Sequence, residues 1–191
     1  PLATGALFGV CALLKPPLGG GILVCGAYWL TREQAHAAKL PRLLKGGALL
    51  VAGFALPLAL VVLWIAARGA WAAFLWTFRD FVPGYTKLNW SDARASSYLY
   101  YGILEAFTKF SALSAFGLIA AISMTPLHAR EREGIYLLLG IIAIQITGIV
   151  MQGKFFPYHY AATLLLIAFL AGLGIYKLFR RCLVAGRGSL L

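Results

Sequence analysis

Lys154 stands three residues ahead of Pro157, and His159 follows between Tyr158 and Tyr160. Proline suits the first position of a helix, where its missing N–H costs nothing. Tyr158, His159 and Tyr160 then fill the first turn, whose free N–H groups form the positive end of the helix dipole. A cationic side chain, a helix N-terminus and an imidazole at one place describe an anion site, most naturally one for phosphate. Phe155 and Phe156 would seat that group at the depth of lipid headgroups, and Lys15, ahead of Pro16 and Pro17, repeats the theme. A plainer account stays open. Lys154 then snorkels to water, Tyr158 and Tyr160 are interfacial belt residues, and His159 hydrogen-bonds a neighbouring helix.

A second group of polar and aromatic residues lies between positions 68 and 109. Trp71, Phe74, Phe78 and Phe81 recur at helical spacing, which predicts a helix in the headgroup plane with its aromatic face down. From Gly84 to Ser97 the run reads as an irregular loop. Ser91 or Asp92 would cap the helix that follows, and Glu105 would pair with Lys109 at i, i+4. Sugars stack on aromatic faces, so Trp90, Tyr158 and Tyr160 are candidate sugar or lipid contacts. Asp92 and Arg94 would hydrogen-bond sugar hydroxyls. The alternative for these rings is an aromatic belt, which gathers at a membrane surface whatever a protein does. The Asn89-Trp90-Ser91 sequon is discounted, because three-residue patterns arise easily by chance.

These residues need elements to hold them, and the composition says which. Of 191 residues, 61% are hydrophobic and only 12% charged, with mean hydropathy +0.83. A soluble domain carries about a quarter of its residues as charges. The expected fold is therefore all-α, a polytopic transmembrane helix bundle of five or six membrane segments forming one domain over residues 1–191. The segments are 2–14, 18–30, 43–67, 111–126, 134–151 and 157–179. The first two are short, and read either as a hairpin or as one kinked span. Loop 68–109 carries the interfacial helices. The chain opens within an apolar run and has no signal-peptide pattern, so it reads as a C-terminal piece of a longer protein.

Basic residues orient the bundle. Arg32, Lys39, Arg42, Lys45, Arg130, Arg132, Lys177, Arg180, Arg181 and Arg187 fall on one side; Lys15, Arg68, Arg79, Lys87, Arg94, Lys109 and Lys154 fall on the other. The first set is the denser, which predicts a cytoplasmic C-terminus. Loop 68–109 and residues 152–160 then share the outer face. The net charge of +11 suits anionic lipid rather than nucleic acid, because the cations are scattered between apolar runs. Cys11, Cys25 and Cys182 form neither a disulfide pattern nor a zinc spacing. No cofactor is identified, and dependence on a divalent metal is left open.

Two stretches carry a resemblance. "GALFGVCALLKPPLGGGIL" (5–23) is similar to a Gly-rich, Lys-Pro-containing segment of bacterial GT-C-fold glycosyltransferases, the relatives of protein O-mannosyltransferases and lipid A aminoarabinose transferases. "QGKFFPYHY" (152–160) resembles the opening of a late transmembrane helix in the same group. The resemblance covers both ends of the chain, and the middle matches only in style. It implies an enzyme of the bacterial inner membrane that takes a sugar from a polyprenyl-phosphate carrier at the extracytoplasmic face. The acceptor would be a lipid, glycan or protein. Lys154 and His159, with Lys15, would hold the donor phosphate, whose charge must be neutralised as it leaves. Such enzymes usually carry their catalytic carboxylate in an early outer loop, which would precede this chain. Asp80 and Glu105 are accounted for by Arg79 and Lys109, so Asp92 is the remaining candidate base. The catalytic residue is otherwise unassigned, and the fragment alone is expected to be inactive.

Two other functions compete. A transporter or lipid flippase would also hold an anion with broken helices, but the two halves of the chain show no evident inverted repeat. A non-catalytic assembly subunit would use Gly5 and Gly9, a small-xxx-small pair suited to close helix packing.

Overall fold

The computed structural model describes residues 1–35, 40–87, 94–123, 128–153 and 155–188. Among these residues every regular element is helical. The chain opens with α1 (Leu2–Leu14), a short α2 (Pro16–Gly19) and α3 (Gly21–Ala35). Then come the long α4 (Leu40–Ala67), a helical arm made of α5 (Trp71–Trp76), a π turn (Thr77–Phe81) and α6 (Val82–Lys87), and α7 (Ala95–Lys109). It ends with α8 (Ser111–Ile122), α9 (Ala129–Gln152), a 3-10 turn (Pro157–Tyr160) and α10 (Ala161–Gly188).

Among the described residues three helices are long and apolar enough to cross a membrane: α4, α9 and the Pro157–Leu183 stretch that includes most of α10. At about 1.5 Å per residue, α4 is about 42 Å long against a hydrocarbon core of about 30 Å. A fourth span exists only if α7 and α8 count as one, and they bend by 100° where they meet. Of the five or six segments expected from the sequence, three meet this length among the described residues, or four with that bent pair. Helix α1, with 13 residues, is apolar but too short to cross.

The short helices α1 and α3 form a hairpin, one of the two arrangements the sequence allowed. Helix α1 runs parallel to α4 with the two backbones touching. A Cβ on Gly5 would overlap the Leu50 carbonyl oxygen, and one on Gly53 would overlap the Leu2 carbonyl. Gly9 meets Phe54 and the ring of Pro57 in the same way. Without a hydrophobic drive between helices in lipid, this close backbone approach is what holds such a pair together. The sequence pair Gly5/Gly9 thus packs within the chain.

Helix α3 then runs back antiparallel to α9. Pro17 lies against Gly148, Gly20 against Ile144, and Val24 against Gly140. On its other face α9 packs on α8 and α10 through Ile135, Ile142, Ala120, Ile167 and Leu170. Helix α8 runs alongside α10, with Ala120 and Phe116 closing on Gly174. The hairpin is therefore wedged between α4 and α9, and its turn, at Lys15, lies at the end of α9 marked by Gly153.

The opposite end is tied by charge. Glu133 accepts hydrogen bonds from Tyr28 (3.0 Å) and from Arg32, and Glu131 pairs with Lys177 at 2.7 Å. The Arg181 guanidinium donates to the Ser123 carbonyl at 3.1 Å. The two acids near the start of α9 strap it to α3 on one side and α10 on the other.

Three local expectations change. Residues 82–87 are helical, so Gly84 lies inside a helix and does not open a loop. Helix α7 starts at Ala95 with Arg94 in the N-cap position, three residues past Ser91 and two past Asp92. The π turn at Thr77–Phe81 also divides the four aromatics expected on one face. Trp71, Phe74 and Phe78 line one side (centroids 5.4 and 4.9 Å apart), whereas Phe81 lies tilted against Trp76 (5.7 Å) and stacks on Tyr85 (6.0 Å). The Thr77 hydroxyl donates to the Ala73 carbonyl at 2.8 Å, where the turn begins. The Glu105–Lys109 pair forms as expected, at 3.4 Å.

Candidate anion site

The site is assembled by two chain reversals. Pro16 disfavours helical geometry at the residue before it, and Lys15 is extended (φ −159°, ψ 116°), breaking α1 from α2. At the other reversal Gly153 ends α9 in the left-handed region (φ +60°), which a side chain would strain. Pro157 opens the turn, as the sequence predicts, but the turn is 3-10 and the His159 N–H, expected to be free, donates to the Phe156 carbonyl at 2.9 Å. The packing of Pro17 on Gly148 holds the first reversal against the second.

The outcome is that Lys15 and Tyr158 meet. The Lys15 Nζ lies 5.6 Å from the centroid of the Tyr158 ring, and it is buried with no hydrogen-bond acceptor among the described residues. Burial pushes the Lys15 ammonium below the usual lysine range. Tyr158 is 66% exposed and forms the cover over this ammonium. It also stacks on Phe156 at 5.6 Å. His159 is buried beneath, edge-on to both Tyr158 (4.4 Å) and Phe156 (5.7 Å). A cation with three donors and only a ring face beside it satisfies little of its hydrogen-bonding capacity. An oxyanion would complete it.

Other candidates go elsewhere. Tyr160 is fully buried, its hydroxyl donating to the Gly102 carbonyl at 3.0 Å, so it joins the 3-10 turn to α7 and does not face a ligand. Arg94 is exposed at the start of α7, roughly 12 Å along that helix from Gly102 at 1.5 Å per residue. Lys154, Trp90 and Asp92 lie outside the described residues, so the site as described rests on Lys15, Tyr158 and His159. Asp80 is exposed on the π turn and shows no ion pair among the described residues, in place of the expected Arg79 partner. Glu105, Glu131 and Glu133 are each held by a cation. Among the described residues no three His, Cys, Asp or Glu side chains gather to hold a metal.

What the sequence did not indicate is that Lys15 would be the buried partner of Tyr158. The signal was there in the repeated Lys-before-Pro pattern, but nothing in it placed the two reversals side by side. A second feature, an apolar cavity of about 160 Å³ between α7, α8, α9 and α10, is walled by Ala106, Leu139, Ile146 and Ile167 with Ser114 as its polar lining. Comparison with protein-family models, curated proteins and solved structures found no match for the chain.

Proposed function

We propose that the chain works in a membrane glycosyltransferase that moves a sugar from a polyprenyl-phosphate carrier to a lipid, glycan or protein acceptor. The observation that carries this reading is the buried Lys15 ammonium, without an acceptor among the described residues, against Tyr158, whose ring meets His159 edge-on. In glycosyl transfer the bond from the anomeric carbon to the phosphate oxygen breaks and negative charge grows on the phosphate. A cation already desolvated at that point stabilises the charge without reorganising water. Lys154, by sequence, adds a second cation. The carboxylate that would deprotonate the acceptor is not assigned to this site. The reading places the Lys15 end at the extracytoplasmic face of a bacterial inner membrane and the C-terminus in the cytoplasm, following the basic bias around Arg32, Arg130, Arg132 and Arg181.

One observation favours a second reading. The 100° break between α7 and α8 is of the kind that transporters and flippases use around a substrate. An assay in vesicles separates the two. The protein is supplied with a polyprenyl-phosphate-linked sugar and a mixture of lipid and peptide acceptors, and the sugar is followed by mass spectrometry. Sugar on an acceptor supports the transferase. Intact carrier crossing leaflets with no sugar on an acceptor supports the flippase and contradicts the transferase.

A further inference from the structure

The arm formed by α5, the π turn and α6 carries aromatic rings on two faces. Residues two apart in a helix point about 200° from one another. Phe74 and Phe78 stack with Trp71, so Trp76 between them projects from the opposite side. In an unbroken α-helix Phe81 would return to the Phe74–Phe78 face. The wider π turn instead carries it round to Trp76, and Tyr85 extends that second stack. Trp76 and Phe78 are each 57% exposed. A helix with exposed rings on two opposite sides is not a surface helix with a single apolar face, and both ring faces need apolar surroundings.

We infer that this arm is sunk beneath an anionic lipid headgroup layer, with acyl chains against both aromatic faces. Two observations favour lipid over a protein partner. The arm continues from α4 through Gly69 (φ +69°), and the end of α4 already exposes Leu60, Leu63 and Trp64. Its charge is also right for anionic headgroups. Arg68 opens the arm, its guanidinium 5.8 Å from the Trp64 ring, Arg79 is exposed midway and Lys87 closes it, against Asp80 alone. Cations of this kind next to a membrane surface favour anionic lipid. The inference rests on the membrane placement of α4 and not on sugar transfer.

Spin-label accessibility of the full chain in nanodiscs tests it. With Cys11, Cys25 and Cys182 changed to Ser, single labels are placed by Trp76→Cys, Phe78→Cys and, on the exposed face of α4, Leu56→Cys. Discs contain phosphatidylcholine alone or with phosphatidylglycerol. The expected result is oxygen access with nickel-chelate protection at both arm positions. That protection should deepen in the anionic discs and lose its dependence on lipid charge in Arg68→Gln/Arg79→Gln. Nickel access at either arm position would overturn the inference by placing that face in water. Protection from both reagents would overturn it by showing a protein cover, and equal depth in the two lipids would remove the anionic partner. Nickel access at Leu56 would overturn the membrane placement and the inference together.

Discussion

At the residue scale the account turns on Lys15. Its ammonium is buried against Tyr158 without an acceptor among the described residues, and an unmet buried polar group costs about 1–3 kcal/mol. Lys15→Met should therefore raise the thermal stability of the ligand-free protein while removing anion binding, a combination a merely structural lysine would not give. Tyr158 covers the ammonium, so Tyr158→Phe should keep affinity, whereas Tyr158→Ala should admit phosphate faster; stopped-flow association rates check this. The lowered Lys15 pKa has a further consequence. Binding needs the charged ammonium, which deprotonates at lower pH than an ordinary lysine. Above pH ~8 a phosphate monoester stays dianionic, so affinity in that range should fall before pH reaches ~10.4, the ordinary lysine value. A titration of affinity against pH reads this, and a flat profile up to that value would count against Lys15 as the ligand.

At the element scale the hairpin is fixed by glycine. Gly53 lies against the backbone of α1, whereas Gly47, in the same helix, has open space around it. Gly53→Val should destabilise by about 1–3 kcal/mol through overpacking, well beyond Gly47→Val, as thermal unfolding in detergent would show. Equal effects would mean that the α1–α4 crossing does not form. Much at this scale was legible beforehand. The apolar runs over 43–67, 134–151 and 157–179 became α4, α9 and the start of α10, and Lys15-Pro16-Pro17 became a turn. The π turn was not legible, because Thr77 to Phe81 keeps an ordinary helical pattern and only the geometry shows the extra residue. Gly84 misled for a different reason: a single glycine costs a helix about 1 kcal/mol, which Val82–Lys87 tolerates. The 100° bend at Phe110 was not legible either: there Gly102 lies against Val150 and Phe110 against Tyr160, contacts far apart in sequence.

At the scale of the whole molecule, Lys15, Gly153 and Tyr158 gather at one end, and the acids of α9 hold Arg32 and Lys177 at the other. The pair between Arg32 and Glu133 is open to solvent, so Glu133→Gln should change thermal stability little, and ligand affinity at the far end should hold within about twofold. The orientation has its own check. Cys182 is exposed near the end of α10, and on a background with Cys11 and Cys25 changed to Ser it should escape an impermeant thiol reagent in intact cells and react once the cells are opened. A label introduced by Tyr158→Cys should react only from outside. What stayed illegible at this scale was the meeting of the chain's two Lys-before-Pro stretches, since it depends on Pro17 finding Gly148.

The measurement that tests the central claim most directly is the affinity of the detergent-purified protein for a polyprenyl phosphate, compared with the uncharged polyprenol and repeated for Lys15→Ala and His159→Ala. The account predicts that the phosphate binds and the alcohol does not, and that Lys15→Ala weakens binding at least tenfold, about 1.4 kcal/mol, with the helical fold intact. Equal affinity for phosphate and alcohol, or wild-type affinity in Lys15→Ala, would contradict it.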